Sequence, residues 1–228
     1  MSIAFCVSGG GRVVGATLAA RAAGLLTLQD ATAVLDRPTP FSEVAANYGI
    51  GCTVLDHRHF ENKEQFRDEL TRTLEKLAVD HLFLTFDWLL SAEAVSTYQN
   101  RIINLHMSQL PLFPGRGAIK AALAAGTRTA GVTYHFVDNG VDTGPIIAQA
   151  ITAVVPRMTH EQLGRALFKR AVPLAIQVLR WLEQSRLHIY GPLVSVSEAL
   201  YDDGPYFPAL DDDIAEFSRN YLARRYPG

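Results

Sequence analysis

The stretch Ile3–Gly11, which reads IAFCVSGGG, decides the fold. Its five apolar residues predict a buried strand, and a helical pattern rich in Ala and Leu begins at Val13, just after the glycines. An apolar strand that passes through a glycine turn into a helix is typical of a parallel sheet with helices on both faces. The start of the chain therefore predicts an α/β fold.

The same alternation continues outward from this opening. Further apolar segments predict four more strands: Ala31–Leu35, Cys52–Leu55, His81–Phe86 and Arg101–Leu105. The segments between them predict four helices: Val13–Ala23, Phe41–Tyr48, Asn62–Leu77 and Ala92–Tyr98. This order predicts a parallel sheet covered on both faces, and in such sheets ligands lie beyond the carboxyl ends of the strands.

The pattern changes after residue 105. It predicts a helix, two longer strands, a long helix and a terminal helix, at Gly117–Ala125, Gly131–Val137, Pro145–Val155, Thr159–Leu182 and Asp211–Tyr226. Thr159 with Gln162 predicts a cap at the start of the long helix, and Pro173 predicts a kink inside it. We expect residues 1–190 to form one catalytic domain and residues 191–228 to form a short C-terminal appendage that packs on it.

Composition excludes several function classes. The chain has 228 residues, 48% of them hydrophobic, and a net charge of −2 without long basic runs, so no nucleic-acid partner is expected. No apolar run reaches the roughly 20 residues of a membrane span, and no signal peptide is recognisable, so a cytoplasmic protein is expected. Cys6 and Cys52 are predicted to be buried free thiols, and because their spacing fits no metal motif, no metal is expected.

The glycine turn is a candidate substrate-binding site, because backbone N–H groups at a helix N-terminus bind anions. Its predicted residues are Ser8, Gly9, Gly10, Gly11 and Arg12. Asp36 closes the second strand, like the acidic residue of dinucleotide-binding folds, but Val14 stands where the last glycine of that fingerprint belongs. A bare turn, an anion pocket and a dinucleotide-dependent dehydrogenase or nucleotide-binding module therefore stay open.

Three polar residues suggest the chemistry. Asn104 and His106 stand at the end of the fifth strand, and Asp142 stands in a loop with two glycines and a proline. An amide N–H can hold an oxyanion, an imidazole can carry a proton near neutral pH, and a carboxylate can orient that imidazole or accept a proton. Together these groups predict the transfer of an acyl or formyl group.

Two segments around these residues identify a family. Ile103–Gly115, reading INLHMSQLPLFPG, resembles the active-site strand and loop of the folate-dependent formyltransferases, and Gly131–Gln149, reading GVTYHFVDNGVDTGPIIAQ, resembles their second signature. The family includes glycinamide ribonucleotide, methionyl-tRNA and sugar N-formyltransferases and formyltetrahydrofolate hydrolase. The resemblance implies a Rossmann-like formyltransferase core, with a mostly parallel sheet flanked by helices, plus a short C-terminal appendage.

The resemblance also implies roles. Asn104, His106 and Asp142 match the catalytic residues of the family, in which an amine attacks the formyl carbon of 10-formyltetrahydrofolate. Asn104 and His106 would stabilise the oxyanion, and Asp142 would set the state of His106 and help remove the amine proton. The folate would lie against two segments, with the residues Phe86, Asp87, Trp88, Leu89 and Leu90 in one and Asn139, Gly140, Val141 and Thr143 in the other.

Departures from the family guide the choice of acceptor. Arg12-Val13 replaces the Asn that glycinamide ribonucleotide enzymes carry after the glycine turn, and Arg116-Gly117 begins a run without their histidine. A small amine, such as an amino sugar nucleotide or another amine metabolite, is therefore the preferred acceptor. Glycinamide ribonucleotide formyltransferase and formyltetrahydrofolate hydrolase are the alternatives, and a catalytically idle relative is a third. A homodimer through an exposed edge strand stays open.

Overall fold

The computed structural model describes residues 1–227, which fall into two units. The first unit contains Met1–Asn104 and Val137–Asn139, and the second contains Leu105–Phe136 and the chain from Gly140 onward. The chain leaves the first unit after Asn104 and returns to it for Val137–Asn139, so the two units are not successive halves of the sequence.

The first unit is built around a parallel sheet. Its elements are β1 (Ser2–Val7), α1 (Arg12–Ala22), β2 (Asp30–Leu35), α2 (Phe41–Asn47), β3 (Gly51–Val54), a 3₁₀ turn at His57–His59, α3 (Lys63–Leu77), β4 (His81–Thr85), α4 (Ala92–Thr97) and the start of β5 (Ile102–His106). β1 pairs in parallel with β2 and β4, β2 with β3, and β4 with β5. The predicted strands and helices of this unit are all present.

Both faces of this sheet are covered. Ile3 and Phe5 on one face of β1 and Ala4 and Cys6 on the other are all fully buried, as expected for a parallel sheet between helix layers. The Ala4 face packs against the apolar stripe of α3, which includes Phe66, Leu70 and Leu74. Burial raises the pKa of the Cys6 thiol to about 12, which makes it an inert core residue.

Cys52 departs from its prediction. It lies on β3, the edge strand of the sheet, and its side chain is half-buried rather than buried. An edge strand has a neighbour on one side alone, so its residues bury less surface than those of β1. Partial burial still raises the pKa of its thiol.

The second unit contains antiparallel strand pairs. Its elements are α5 (Ala118–Ala124), β6 (Thr129–Phe136), β7 (Ile146–Ala153), α6 (His160–Glu183), β8 (Leu187–Tyr190), β9 (Leu193–Val196), β10 (Tyr206–Phe207) and α7 (Asp212–Arg225), and it also holds the end of β5. β6 and β7 are antiparallel, β7 also pairs with β10 and β9, and β8 with β9 forms a hairpin. The loop that carries Asp142 joins β6 to β7.

The long helix α6 supports this sheet. Thr159 caps it as predicted: the Thr159 hydroxyl accepts from the Gln162 N–H, and the Gln162 side chain accepts from the Thr159 N–H. The helix continues through Pro173 and packs on β6, β7 and α7. β8 was not predicted, because it has four residues, none of them fully buried, and begins soon after the end of α6. Gly191, the first residue of the predicted appendage, lies in the turn between β8 and β9 with a φ of 59°.

The C-terminal segment is tied to α6 by charge. The Arg180 guanidinium donates to the Asp211 carboxylate at 3.0 Å and to both oxygens of Asp213 at 2.7 and 2.8 Å. Contact with Arg180 is the main cause that lowers the pKa of the Asp213 carboxyl. Tyr206 and Phe207 extend the sheet as β10, beside β7.

Within residues 1–227, none of the helices combines the length and apolar character that crossing a membrane requires.

Candidate active site

His106 is the last residue of β5, and both nitrogens of its ring face oxygen atoms. Nδ1 lies 3.2 Å from an oxygen of the Asp142 carboxylate, and Nε2 lies 2.9 Å from the carbonyl oxygen of Phe113. The residue is 8% exposed. Because a neutral imidazole has one N–H, the protonated ring alone donates to both oxygens. Both ring nitrogens of His106 therefore lie within hydrogen-bonding reach of an oxygen atom.

Asp142 is held in a conformation that few residues adopt. Its φ is 54°, in the left-handed region that Asp tolerates better than most non-glycine residues. The Gly115 N–H donates to its Oδ2 at 2.7 Å, so the carboxylate is clamped between a backbone donor and the His106 ring. This unfavourable backbone conformation is a mark of functional loops.

A second histidine, His135 on β6, completes this cluster. Its Nδ1 lies 2.8 Å from the Phe136 carbonyl oxygen and its Nε2 lies 3.6 Å from Asp142 Oδ1. Contact with His135 is the largest influence that lowers the pKa of the Asp142 carboxyl, and the Gly115 N–H and His106 add to it against the opposing effect of burial. Asp142 is therefore a carboxylate near neutral pH. No role for His135 was predicted from the sequence, although it stands in the same motif as Asp142.

The loop that follows β5 is fixed by a buried polar network. Thr133 Oγ1 donates to the Ser108 carbonyl at 2.7 Å and accepts from the Leu110 N–H at 3.1 Å. The Gln149 amide donates to the Leu110 carbonyl at 2.7 Å and to Thr133 at 2.9 Å. These bonds anchor the loop whose later residues supply the Phe113 carbonyl and the Gly115 N–H to the site.

The loop between β6 and β7 requires its first glycine. A Cβ on Gly140 would collide with the side chain of Thr143, which would have to shift to admit any other residue. Val141 at its tip is 50% exposed. Gly140, Val141 and Thr143 lie together here in the second unit, whereas Asn139 belongs to the first. Their contact with folate stays a prediction.

Asn104 lies in the first unit, in the middle of β5. It pairs with Leu84 of β4, and its side chain is half-buried. It precedes His106 by two positions on one strand, and alternate residues of a strand point to the same face. A shared task for the two side chains stays a prediction.

The glycine turn has a steric explanation. Gly9 and Gly11 have φ values of 68° and 57°, and a Cβ on Gly11 would enter the ring of Phe41. Gly11 is the residue that caps α1, and Arg12, which is exposed, is the first residue of that helix. The Ser8 hydroxyl donates to Asp36 at 2.7 Å, so its proton is already engaged in a hydrogen bond within the protein. Anion binding by the turn backbone and Arg12 stays a prediction.

Asp36 is a structural acid, not a nucleotide-binding one. Its side chain is fully buried, and its carboxylate accepts from Ser8 Oγ, from Trp88 Nε1 at 3.0 Å and from Arg37 Nε at 3.1 Å. A dinucleotide-binding fold needs this acid to accept from the ribose. The dehydrogenase alternative therefore does not fit Asp36.

The predicted folate segment Phe86–Leu90 is anchored by the same acid. The Asp87 N–H donates to Ser8 Oγ at 2.9 Å, and the Trp88 ring packs against Phe66 with centroids 4.5 Å apart. Phe86, Trp88 and Leu90 lie against the first unit's core, while Asp87 and Leu89 are exposed. Trp88 thus has a packing role, and folate binding by this segment stays a prediction.

Within residues 1–227, no group of three or more His, Cys, Asp or Glu side chains is arranged to hold a metal ion.

Comparison with known proteins identifies the family. Residues 1–179 match the family described as "Formyl transferase". The chain belongs to the formyl transferase family. The family predicted from the two motifs is therefore confirmed.

The chain matches curated relatives over different shares of its length and of theirs. It is 34% identical over 145 residues to the phosphoribosylglycinamide formyltransferase of Bacillus subtilis, covering 61% of this chain and 74% of the relative. It is 26% identical over 208 residues to the enzyme of that name from Haemophilus influenzae, covering 90% and 95%. It also matches the trifunctional purine biosynthetic protein adenosine-3 of Drosophila melanogaster with 40% identity, but spans 10% of that protein's length.

Solved structures confirm the predicted fold class. Glycinamide ribonucleotide transformylase 1 from Symbiobacterium toebii superposes with a TM-score of 0.80 at 31% identity, covering 86% of this chain and 93% of that one. A formyltetrahydrofolate deformylase from Pseudomonas syringae pv. tomato superposes with a TM-score of 0.77 at 22% identity, which shows a common fold.

Proposed function

We propose that this formyl transferase moves a formyl group from 10-formyltetrahydrofolate to the amino group of phosphoribosylglycinamide. The observation that carries the proposal is the pairing of His106 Nδ1 with the Asp142 carboxylate at 3.2 Å in a chain of this family. The relatives from Bacillus subtilis and Haemophilus influenzae bear the name of this activity. They favour the glycinamide ribonucleotide alternative over the amino sugar nucleotide that Arg12 and Arg116 suggested.

The first step of the proposed reaction forms a carbon–nitrogen bond. The acceptor amine attacks the formyl carbon, and the carbonyl oxygen becomes an oxyanion. The Asn104 amide and an N–H of His106 donate to that oxygen, as oxyanion holes do. His106 Nε2 faces the Phe113 carbonyl, so it would exchange this hydrogen bond for one to the substrate.

The second step breaks the bond between the formyl carbon and N10 of the folate. The attacking amine has to lose a proton, and N10 has to gain one to leave as tetrahydrofolate. Asp142 is the acceptor for the first proton, because its lowered pKa keeps it ionised, and His106 returns a proton to the leaving nitrogen. The products are the N-formyl amide and tetrahydrofolate.

The phosphate of the acceptor would bind at the glycine turn. The turn backbone lies at the N-terminus of α1, where helix N–H groups and the helix dipole attract anions. Arg12 adds a guanidinium, whose planar donors suit a phosphate. An Arg in place of the family's Asn is thus compatible with a phosphorylated acceptor.

A competition among acceptors tests the proposal. The purified chain is incubated with 10-formyltetrahydrofolate and either phosphoribosylglycinamide, an amino sugar nucleotide or buffer alone, and the products are identified by mass spectrometry. We expect formylated phosphoribosylglycinamide and an equal amount of tetrahydrofolate. Formylation of the sugar alone would overturn the acceptor, and release of formate without an acceptor would favour the hydrolase.

A matched pair of histidine variants links the activity to the site. His106→Ala should lose formyl transfer, whereas His160→Ala, at the exposed start of α6, should keep it. Equal activity in the two variants would remove His106 from the mechanism.

A further inference from the structure

A cavity of about 610 Å³ lies in the C-terminal part of the second unit, between α6 and α7. Volumes of this size are typical of small-molecule sites. None of its lining residues belongs to the cluster around His106. The cavity is therefore a separate place where a ligand can bind.

Positive charge is concentrated around this cavity. Lys169 and Arg170 of α6 and Arg219 of α7 line it, and its described lining includes no Asp or Glu. The Arg170 guanidinium lies over the ring of Tyr206, 5.4 Å from its centroid, and is held in place by it. Lys169 and Arg219 are exposed at the rim. Three cations with no lining carboxylate favour an anion with more than one charge.

An unpaired hydroxyl lies at the same cavity. Ser218 is 2% exposed, and its Oγ has no hydrogen-bond partner among the described residues. Buried hydroxyls normally have a partner, and leaving one unpaired costs free energy. Ser218 lines the cavity, so a ligand oxygen there would give it one.

The remaining lining is apolar. Pro173, Leu210 and Leu222 contribute aliphatic surface, and Tyr226 contributes a ring that packs edge-on against Phe168 with centroids 5.0 Å apart. An inorganic anion would leave this surface in contact with water. A ligand with an apolar body beside its charged group would cover it.

We propose that this cavity binds an organic phosphate monoester with an aromatic or aliphatic body. A phosphate monoester carries close to two negative charges near neutral pH and offers three acceptor oxygens. Lys169 and Arg219 would contact the phosphate, Ser218 would donate to one of its oxygens, and the body would lie against Leu222 and Tyr226. The proposal does not depend on the function proposed for the His106 site.

Calorimetric titration with 1-naphthyl phosphate tests the site. Inorganic phosphate and 1-naphthol, which are the two halves of this probe, are titrated separately. The pocket variant is Lys169→Glu with Arg219→Glu, and the matched control is Arg224→Glu with Arg225→Glu, two exposed arginines at the end of α7 outside the cavity lining. We expect saturable binding of 1-naphthyl phosphate, weakened about tenfold or more in the pocket variant and nearly unchanged in the control. Each half of the probe should bind more weakly than the whole.

Ser218→Ala provides a second readout. Removing an unpaired buried hydroxyl should raise the melting temperature of the unliganded protein slightly, while weakening probe binding a few-fold. Absence of saturable binding would overturn the proposal. Equal binding in the wild type and the pocket variant would also overturn it, because the probe would then be bound elsewhere. An equal loss of binding in the control variant would overturn it too, because the probe would then be held by nonspecific charge attraction.

Discussion

Asp36 in the first unit and Asp142 in the second are both carboxylates held by three neighbours, but the neighbours differ in kind. Asp36 accepts from a serine hydroxyl, an indole N–H and a guanidinium. Asp142 contacts two imidazoles and accepts from one backbone N–H. Asp36 is fully buried, whereas the Asp142 side chain is 14% exposed.

This difference separates a structural acid from a chemical one. Hydroxyl, indole and guanidinium groups keep their protons near neutral pH, so the bonds around Asp36 are permanent. Imidazoles gain and lose protons in that range, so the pairing of Asp142 can accompany proton transfer. The titratable partners, and not burial or the number of contacts, mark the candidate catalytic residue.

His106→Ala should have the largest effect on activity. Without the ring, the oxyanion loses one donor and the leaving nitrogen loses its proton source, so kcat/KM should fall about a thousandfold. The melting temperature should change little, because β5 keeps its backbone pairing. Steady-state kinetics and thermal denaturation measure the two effects, and turnover at the wild-type rate would refute the assignment.

Asp142→Asn should reduce turnover about a hundredfold, because an amide cannot accept the amine proton.

The same variant also tests how the free energy of unfolding depends on pH. The pKa of Asp142 is lowered from 3.8 in the folded protein, so its stabilising contribution is present above that value and is lost as the pH falls through the lowered pKa. The difference between the wild type and the variant in the free energy of unfolding should therefore be largest near neutral pH and shrink as the pH falls below 3.8. Urea titrations at several pH values measure it, with Asp203→Asn, an exposed carboxyl, as the control.

His135→Gln should have a smaller effect, about tenfold or less on kcat/KM. His135 is the largest of the influences that lower the pKa of Asp142, so its loss should raise that pKa toward 3.8. Carbon-13 NMR titration of the carboxyl reports the shift directly. An unchanged pKa would show that His106 and the Gly115 N–H lower the pKa of Asp142 without a contribution from His135.

Asp36→Asn should alter activity least and stability most clearly. An amide cannot accept from all three donors, so the free energy of unfolding should fall by about 1–3 kcal/mol. The pH dependence of turnover should keep its shape, because none of the three donors titrates near neutral pH. Trp88→Phe, which removes one donor and keeps the ring, should cost about 1 kcal/mol. A shifted pH profile in Asp36→Asn would break the distinction between the two acids.

The first unit was predictable almost in full. Continuous apolar strands such as Ile3–Val7 and the helical stripe of Phe66, Leu70 and Leu74 are strong local signals, because each element is buried on a wide face. The second unit was less predictable. β8 and β10 are short and half-exposed, so their existence depends on pairing with β9 and β7 rather than on their own residues.

Local sequence was sufficient to identify the parallel sheet, the cap at Thr159 and the family to which the motifs around His106 and Asp142 belong. These features depend on residues that are neighbours along the chain or one helical turn apart. The pairing of Asp142 with His106 was expected from the family resemblance, whereas the contact of Asp142 with His135 and the bond from Trp88 to Asp36 were not. Trp88 lies 52 positions from Asp36, and their meeting depends on strand pairing whose register no local pattern specifies. Burial and hydrogen bonding act on groups distant in sequence, so the fold placed one acid among permanent donors and the other beside two imidazoles.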